Sequence, residues 1–163
     1  MKAEFFCNDI NAPKPNRPNH IGTTAVIEYN GKILFEKRKD NGSWALIGGG
    51  LKNNESFTDG IIREISEETG IWIDKSCLIP FKIYDDPLRI AKYPDGNILR
   101  VITVVFIVKL SQYPDLICSE ESVDLNFFAK NEISKLDIAK THIQIIDDYL
   151  NESGFDNKGF KIT

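Results

Sequence analysis

The chain lacks the features that mark several large protein classes. No stretch approaches the roughly 18 consecutive apolar residues of a membrane-spanning helix, so no span is expected. Residues 1–18 carry Pro13, Pro15 and Pro18 but no apolar core of the kind a secretory leader requires. Cysteine is scarce and odd in number. Cys7, Cys77 and Cys118 lie far apart, match no zinc or CxxC spacing and have no nucleophile context. They read as reduced thiols, which together with the missing leader predicts a cytoplasmic protein. Histidine is scarcer still: His20 and His142 are too distant in sequence to form a metal pair and read as surface or core residues. No internal repeat and no low-complexity segment occurs. Excess positive charge is absent too. A net charge of −4 argues against a broad phosphate-backbone surface, so no nucleic-acid partner is expected.

What remains is an ordinary globular composition. A length of 163 residues with 42% hydrophobic content suits one domain with its own core. Residues 1–19 read as an extended lead-in, 20–155 as the domain and 156–163 as a tail. Residues 21–29 and 32–38 are β-rich runs separated by Asn30-Gly31, a strong hairpin signal because both turn residues tolerate positive φ. Residues 44–47 form a short strand ending in Gly48-Gly49-Gly50. Ser56 with Asp59 three residues on is a capping box, and Gly70 is placed to end a helix over 56–69. Residues 71–83 read as a strand interrupted by Pro80, 84–97 as a long polar loop, and 98–110 as the most apolar strand, central in a sheet. A loop over 111–122, a strand over 124–129 and an amphipathic helix over 137–150 complete the pattern. That helix turns Ile138, Ile145, Ile146, Tyr149 and Leu150 to the core. The fold class is therefore α/β (α+β), a mixed sheet with helices packed on it.

Charge is unevenly spread. Residues 55–74 hold six acids and one base, a net of −5, which leaves +1 for the rest of the chain. Glu64, Glu67 and Glu68 stand at i, i+3 and i+4, so their carboxylates share one helix face. Like charges there repel by a few tenths of a kcal/mol per pair, roughly. They also sit in the last turns, where the helix dipole is already negative. A solvated acidic face is the usual fate of such a run. A hard divalent cation removes both penalties, and oxygen-only ligation points to Mg²⁺ or Mn²⁺ rather than zinc.

The acids belong to a longer pattern. From Gly49 to Ile71 the chain resembles the signature box of the Nudix hydrolases, G-x5-E-x7-R-E-U-x-E-E-x-G-U with U a bulky aliphatic residue. Gly49, Glu55, Arg63, Glu64, Glu67, Glu68 and Gly70 fill the fixed positions, and Ile65 and Ile71 the two aliphatic ones. Seven fixed letters align by chance less than about once in 10⁸ placements at ordinary residue frequencies. The resemblance implies an α-β-α sandwich and a hydrolase that cuts the diphosphate linkage of a nucleotide-like substrate. It implies Glu64, Glu67 and Glu68 as metal ligands, with Glu55 in support and a Gly49 carbonyl as a further ligand. Arg63 would orient Glu67 across one helical turn. A divalent cation suits the dense charge of a diphosphate, and a carboxylate would take the proton of the attacking water. Glu64 is one candidate for that base; Glu120 or Glu121, in the loop after the box, is the other, with Glu121 the better match. Ile47 stands where many members have proline, and Gly60 and Ile61 where many have alanine.

Substrate contacts are harder to read. Arg38, at a strand end near the box, is a candidate phosphate contact, against the plain alternative of a surface base. Trp44 is a candidate for stacking on a base, although one tryptophan beside a strand is more often core. The long 84–97 loop brings Arg89 and Tyr93 as further candidates. ADP-ribose, nucleotide sugars, dinucleoside polyphosphates and nucleoside triphosphates all fit the substrate class. Family members are often dimers, so a homodimer is among the expectations. A nucleotide-sensing module that keeps the fold without catalysis is the competing function, and the intact acid set counts against it. An RNA-end hydrolase is disfavoured by the acidic balance.

Overall fold

The computed structural model describes residues 2–152 and the backbone of 161–162. Its centre is a pair of long strands, β2 (His20–Tyr29) and β8 (Ile98–Lys109), which run parallel from His20↔Val101 to Glu28↔Lys109. The hairpin at Asn30-Gly31 forms, with φ of 47° and 73°, and returns the chain as β3 (Lys32–Arg38) antiparallel to β2. β4 (Trp44–Ala45) pairs with β3, and β5 (Ile47–Gly50) pairs antiparallel with the start of β2. β6 (Ile79–Tyr84) flanks β8, and β9 (Ser122–Ala129) flanks β3. The sheet is therefore mixed, as the composition of apolar runs implied.

Alternation along the strands feeds two cores. Ala25 and Ile27 of β2 and Leu34 of β3 turn to one face, where Ile61 and Ile65 of helix α1 (Phe57–Thr69) cover them. Val26, Ile33 and Phe35 turn to the other, where Ile145, Ile146 and Tyr149 of helix α3 (Lys140–Asn151) pack. Such period-2 alternation between two helical layers makes the α-β-α sandwich. Burying Ile61 and Ile65 stabilises the docked α1 by about 1.5–3 kcal/mol each.

Several boundaries differ from the sequence reading. Residues 71–83 are not one strand: Asp74 caps a 3-10 turn over Lys75–Cys77, and strand geometry starts only at Ile79. Pro80 lies in β6 where the register to β8 shifts, a place that tolerates the missing N–H. The polar loop over 84–97 contains β7 (Ile90–Lys92), which pairs with β8 and with β1 (Glu4–Phe6) from the lead-in. α3 begins at Lys140, not 137, because Trp44 N–H donates to Asp137 O and Ala139 N–H to Trp44 O. Helix α2 (Lys130–Ile133) is one turn the apolar pattern did not mark. The domain end at 155 and most of the 156–163 tail lie outside the described residues. Lys161–Ile162, as β10, pairs parallel with Lys82–Ile83 of β6.

Candidate active site

α1 is set firmly against the sheet. Ser56 Oγ accepts from Asp59 N–H at 3.1 Å, Asp59 accepts from Ser56 N–H, and Gly70 ends the helix in the left-handed region. The box glycines bring α1 close to β5. A Cβ on Gly49 would stand 2.6 Å from Glu64 Oε1, so only glycine admits that carboxylate against the strand. Gly48 N–H donates to Glu68 Oε2 at 2.9 Å. Gly60, inside α1, leaves room for Leu51, whose Cδ1 would lie 2.8 Å from a Cβ there.

Arg63 gathers the acids. Its Nε donates to Glu55, and its Nη2 to Glu55 Oε2 at 3.1 Å and to Gly50 O at 3.2 Å. Its Nη1 donates to Glu64 Oε1 at 2.7 Å and Glu67 Oε2 at 3.0 Å. One guanidinium thus serves three carboxylates and a backbone carbonyl, which lysine has no geometry to do. The Arg63 bond holds Glu55 down at about pKa 2. Glu68 sits apart from this network, 9% exposed. Burial first, then the nearby Glu36 charge, pushes its pKa up to about 9.

Glu36 is the acid that sequence reasoning missed. It is 3% exposed, accepts from Ser122 Oγ, and has its pKa raised by burial. A signal existed: Glu36 follows Leu34 by two on β3, so it continues the face turned to α1. An acid at that register has to meet the helix.

The donors suit a hard cation. Glu55, Glu64, Glu67 and Glu68 offer only oxygen, and Gly49 provides the recess that brings Glu64 to the backbone. Among the described residues no three acids are already drawn around one point. Glu67, 56% exposed, is the acid freest to swing.

Beside Gly48 and Gly49 opens a cavity of about 440 Å³. Arg38 and Tyr93 line it, together with Lys2 and Phe5 from the N-terminal segment. Arg38 is clamped by Asp40 at 3.0 and 2.8 Å, with Glu36 3.8 Å from its Nη1. The structure does not bring Trp44 or Arg89 to this cavity. Trp44 packs edge-on to Phe128 at 4.8 Å, with Lys37 over its ring. Arg89 is 1% exposed; its Nη2 donates to Thr141 O at 2.9 Å and its guanidinium covers Tyr84, so it braces α3 from beneath. Glu120 and Glu121 are exposed in a loop fixed to the end of β3 by Lys39 N–H donating to Glu121 O. No helix among the described residues is long and apolar enough to cross a membrane.

Known proteins align with this architecture. The sequence model of the NUDIX domain matches residues 18–149. An ADP-ribose pyrophosphatase of Methanocaldococcus jannaschii is 30% identical over 133 residues, 80% of this chain and 72% of that protein. The nucleoside triphosphatase NudI of Enterobacter sp. (strain 638) is 29% identical over 119 residues, 69% of this chain and 84% of that protein. Among solved structures, a bifunctional NMN adenylyltransferase/ADP ribose pyrophosphatase from Francisella tularensis, complexed with AMP and a Mn ion, superposes with a TM-score of 0.68 at 27% identity. That alignment covers 86% of this chain and 43% of the larger protein. With the match running from the lead-in to α3 and every fixed box position filled, the chain belongs to the NUDIX domain family and is a Nudix hydrolase.

Proposed function

We propose that the protein is a Mg²⁺-dependent pyrophosphohydrolase of nucleoside diphosphate derivatives, with ADP-ribose the leading substrate. The observation that carries this reading is the placement of the acid set. Glu64 and Glu68 rest on Gly49 and Gly48, and the same two glycines border a cavity of about 440 Å³, room for one half of a nucleotide substrate. Glu64, Glu67 and Glu68, with Glu55 in support and the Gly49 carbonyl, would hold the ion. When bound, a divalent ion neutralises the diphosphate and lowers the energy of the charge developed in line.

The rest is the work of the chain's own groups. Arg63 holds Glu55, Glu64 and Glu67 near one another before substrate arrives, which shortens the side-chain rearrangement left for the reactive complex. Arg38, clamped by Asp40, presents a fixed positive charge to a phosphate oxygen. Glu64, whose carboxylate lies against Gly49, is the proton acceptor in this reading. A water oxygen attacks one phosphorus, the bridging P–O bond breaks, Glu64 takes the water proton, and two monophosphates leave. From ADP-ribose these are AMP and ribose 5-phosphate.

ADP-ribose leads because the relative with the broader coverage of this chain and the Francisella neighbour both carry that activity in their names. The NudI relatives favour a second reading, nucleoside triphosphates. Both are tested by incubating the protein with ADP-ribose, nucleotide sugars, dinucleoside polyphosphates and nucleoside triphosphates, with and without Mg²⁺, and adding phosphatase to reveal monophosphates. Metal-dependent release from ADP-ribose above all others supports the first reading. Preference for triphosphates replaces it with the second, and silence across the panel refutes both.

A further inference from the structure

The cavity contains a hydrogen-bond donor that the box does not use. His142 lies in the first turn of α3 and lines the cavity along with Gly48 and Gly49. Leu46 N–H donates to its Nδ1 at 3.0 Å. Nδ1 is therefore the unprotonated nitrogen, and the neutral ring carries its hydrogen on Nε2. Nε2 has no hydrogen-bond partner among the described residues. Leu46 is two residues from Gly48, whose N–H holds Glu68, so the ring is anchored to the backbone that carries the acid site. Burial, and then the charges of Arg89 and Arg38, hold the ring neutral at pH 7, with a pKa near 4.

A donor fixed in one tautomer and left open to a cavity is a recognition group in need of an acceptor. Arg38, a cation suited to a phosphate, already lines the same cavity. The hydroxyl-bearing Thr24 and Thr103 and the rings of Phe5 and Tyr93 share the same cavity. Together these suit a nucleoside, which combines flat apolar faces with uncharged oxygens and nitrogens. We propose that His142 is a binding residue for the nucleoside half of the substrate, its Nε2–H donating to an uncharged ribose or base acceptor. This rests on the pyrophosphohydrolase reading of the neighbouring acids.

The test uses ADP-ribose and ATP, which share the adenosine half and differ beyond it. His142→Asn keeps an oxygen where Nδ1 accepts from Leu46 but has no donor at the Nε2 position. His142→Gln extends an amide N–H to about that position. One hydrogen bond to a neutral acceptor predicts a KM raised about three- to tenfold in His142→Asn for both compounds, with the loss in KM rather than kcat. His142→Gln should recover most of it, and the thermal midpoint of His142→Asn should match that of the parent. Calorimetric Kd values for the two compounds provide the same comparison if neither is hydrolysed, an outcome that defeats the pyrophosphohydrolase reading but not this one. Unchanged KM and Kd in His142→Asn overturn the assignment. So does an effect on ADP-ribose alone, which would place the contact on the terminal ribose, or failure of both compounds to bind. A fall in thermal midpoint without rescue by His142→Gln makes the residue structural and likewise overturns it.

Discussion

Replacing Glu68 with glutamine should stabilise the protein when divalent ions are stripped away and destabilise it relative to wild type when they are present. The carboxyl is buried, and its pKa stands near 9 in the fold against an ordinary 4.5. The fold thus favours the protonated form. Its contribution is intact below pH 4.5 and is withdrawn as pH climbs through the interval up to about 9. At pH 7 the wild type has crossed about 2.5 pH units of that interval, a penalty on the order of 3 kcal/mol at about 1.4 kcal/mol per unit. Glutamine keeps an oxygen for Gly48 N–H and carries no charge. The stripped Glu68→Gln protein should therefore melt above wild type at pH 7 by about 6–12 °C, given about 2–4 °C per kcal/mol for a chain of this size. At pH 4.5 the two should melt together. Added Mg²⁺ should reverse the order, because only the carboxylate gains a counter-ion. Thermal melts of both proteins in chelator and in millimolar Mg²⁺, from pH 4.5 to 8, measure every arm. Equal midpoints in chelator at pH 7 to 8, or a less stable variant there, would refute the buried-charge account.

Gly49→Ala should cut turnover more than about tenfold while leaving the fold in place, since the added Cβ meets the Glu64 carboxylate rather than backbone; kinetics and a melt on the same sample separate the two effects. Arg63→Lys should raise the Mg²⁺ concentration needed for half-maximal rate by about 10–100-fold, because lysine cannot grip Glu55, Glu64 and Glu67 at once. An unchanged metal dependence would show that the network does not position the acids. Ile65→Ala, at a fully buried site, should cost about 2–5 kcal/mol of stability, readable in a urea melt, and a loss below 1 kcal/mol, roughly, would mean that α1 is not anchored as described.

The parts of the fold that were legible in the sequence are those specified by near neighbours. Asn30-Gly31, the Ser56/Asp59 box and Gly70 each act over four residues or fewer, and the hairpin and α1 lie where those signals put them. The acid set was legible for the same reason, since i, i+3 and i+4 define a helix face without tertiary knowledge. What was not legible depends on distant partners. β1 exists because Glu4–Phe6 meets Ile90–Lys92 some 86 residues later, a pairing the polar lead-in does not announce. Glu36 becomes part of the acid site only when β3 and α1 pack together. His142 reads as an isolated histidine until Leu46, 96 residues away, donates to it. Trp44 and Arg89 lie away from the cavity because residue type suggests a chemistry but not which layer of the sandwich a side chain enters.

The central claim is that the gathered glutamates bind a divalent ion that drives hydrolysis of a nucleotide diphosphate. The most direct measurement is AMP release from ADP-ribose as Mg²⁺ is raised from zero to millimolar, for wild type and for Glu67→Gln. Glu67 is exposed, so its replacement leaves the core untouched. The account predicts no AMP without metal, saturating release by wild type, and loss of nearly all turnover in the variant at an unchanged melting temperature in chelator. Release that is indifferent to Mg²⁺, or a Glu67→Gln protein that turns over ADP-ribose like wild type, would contradict it.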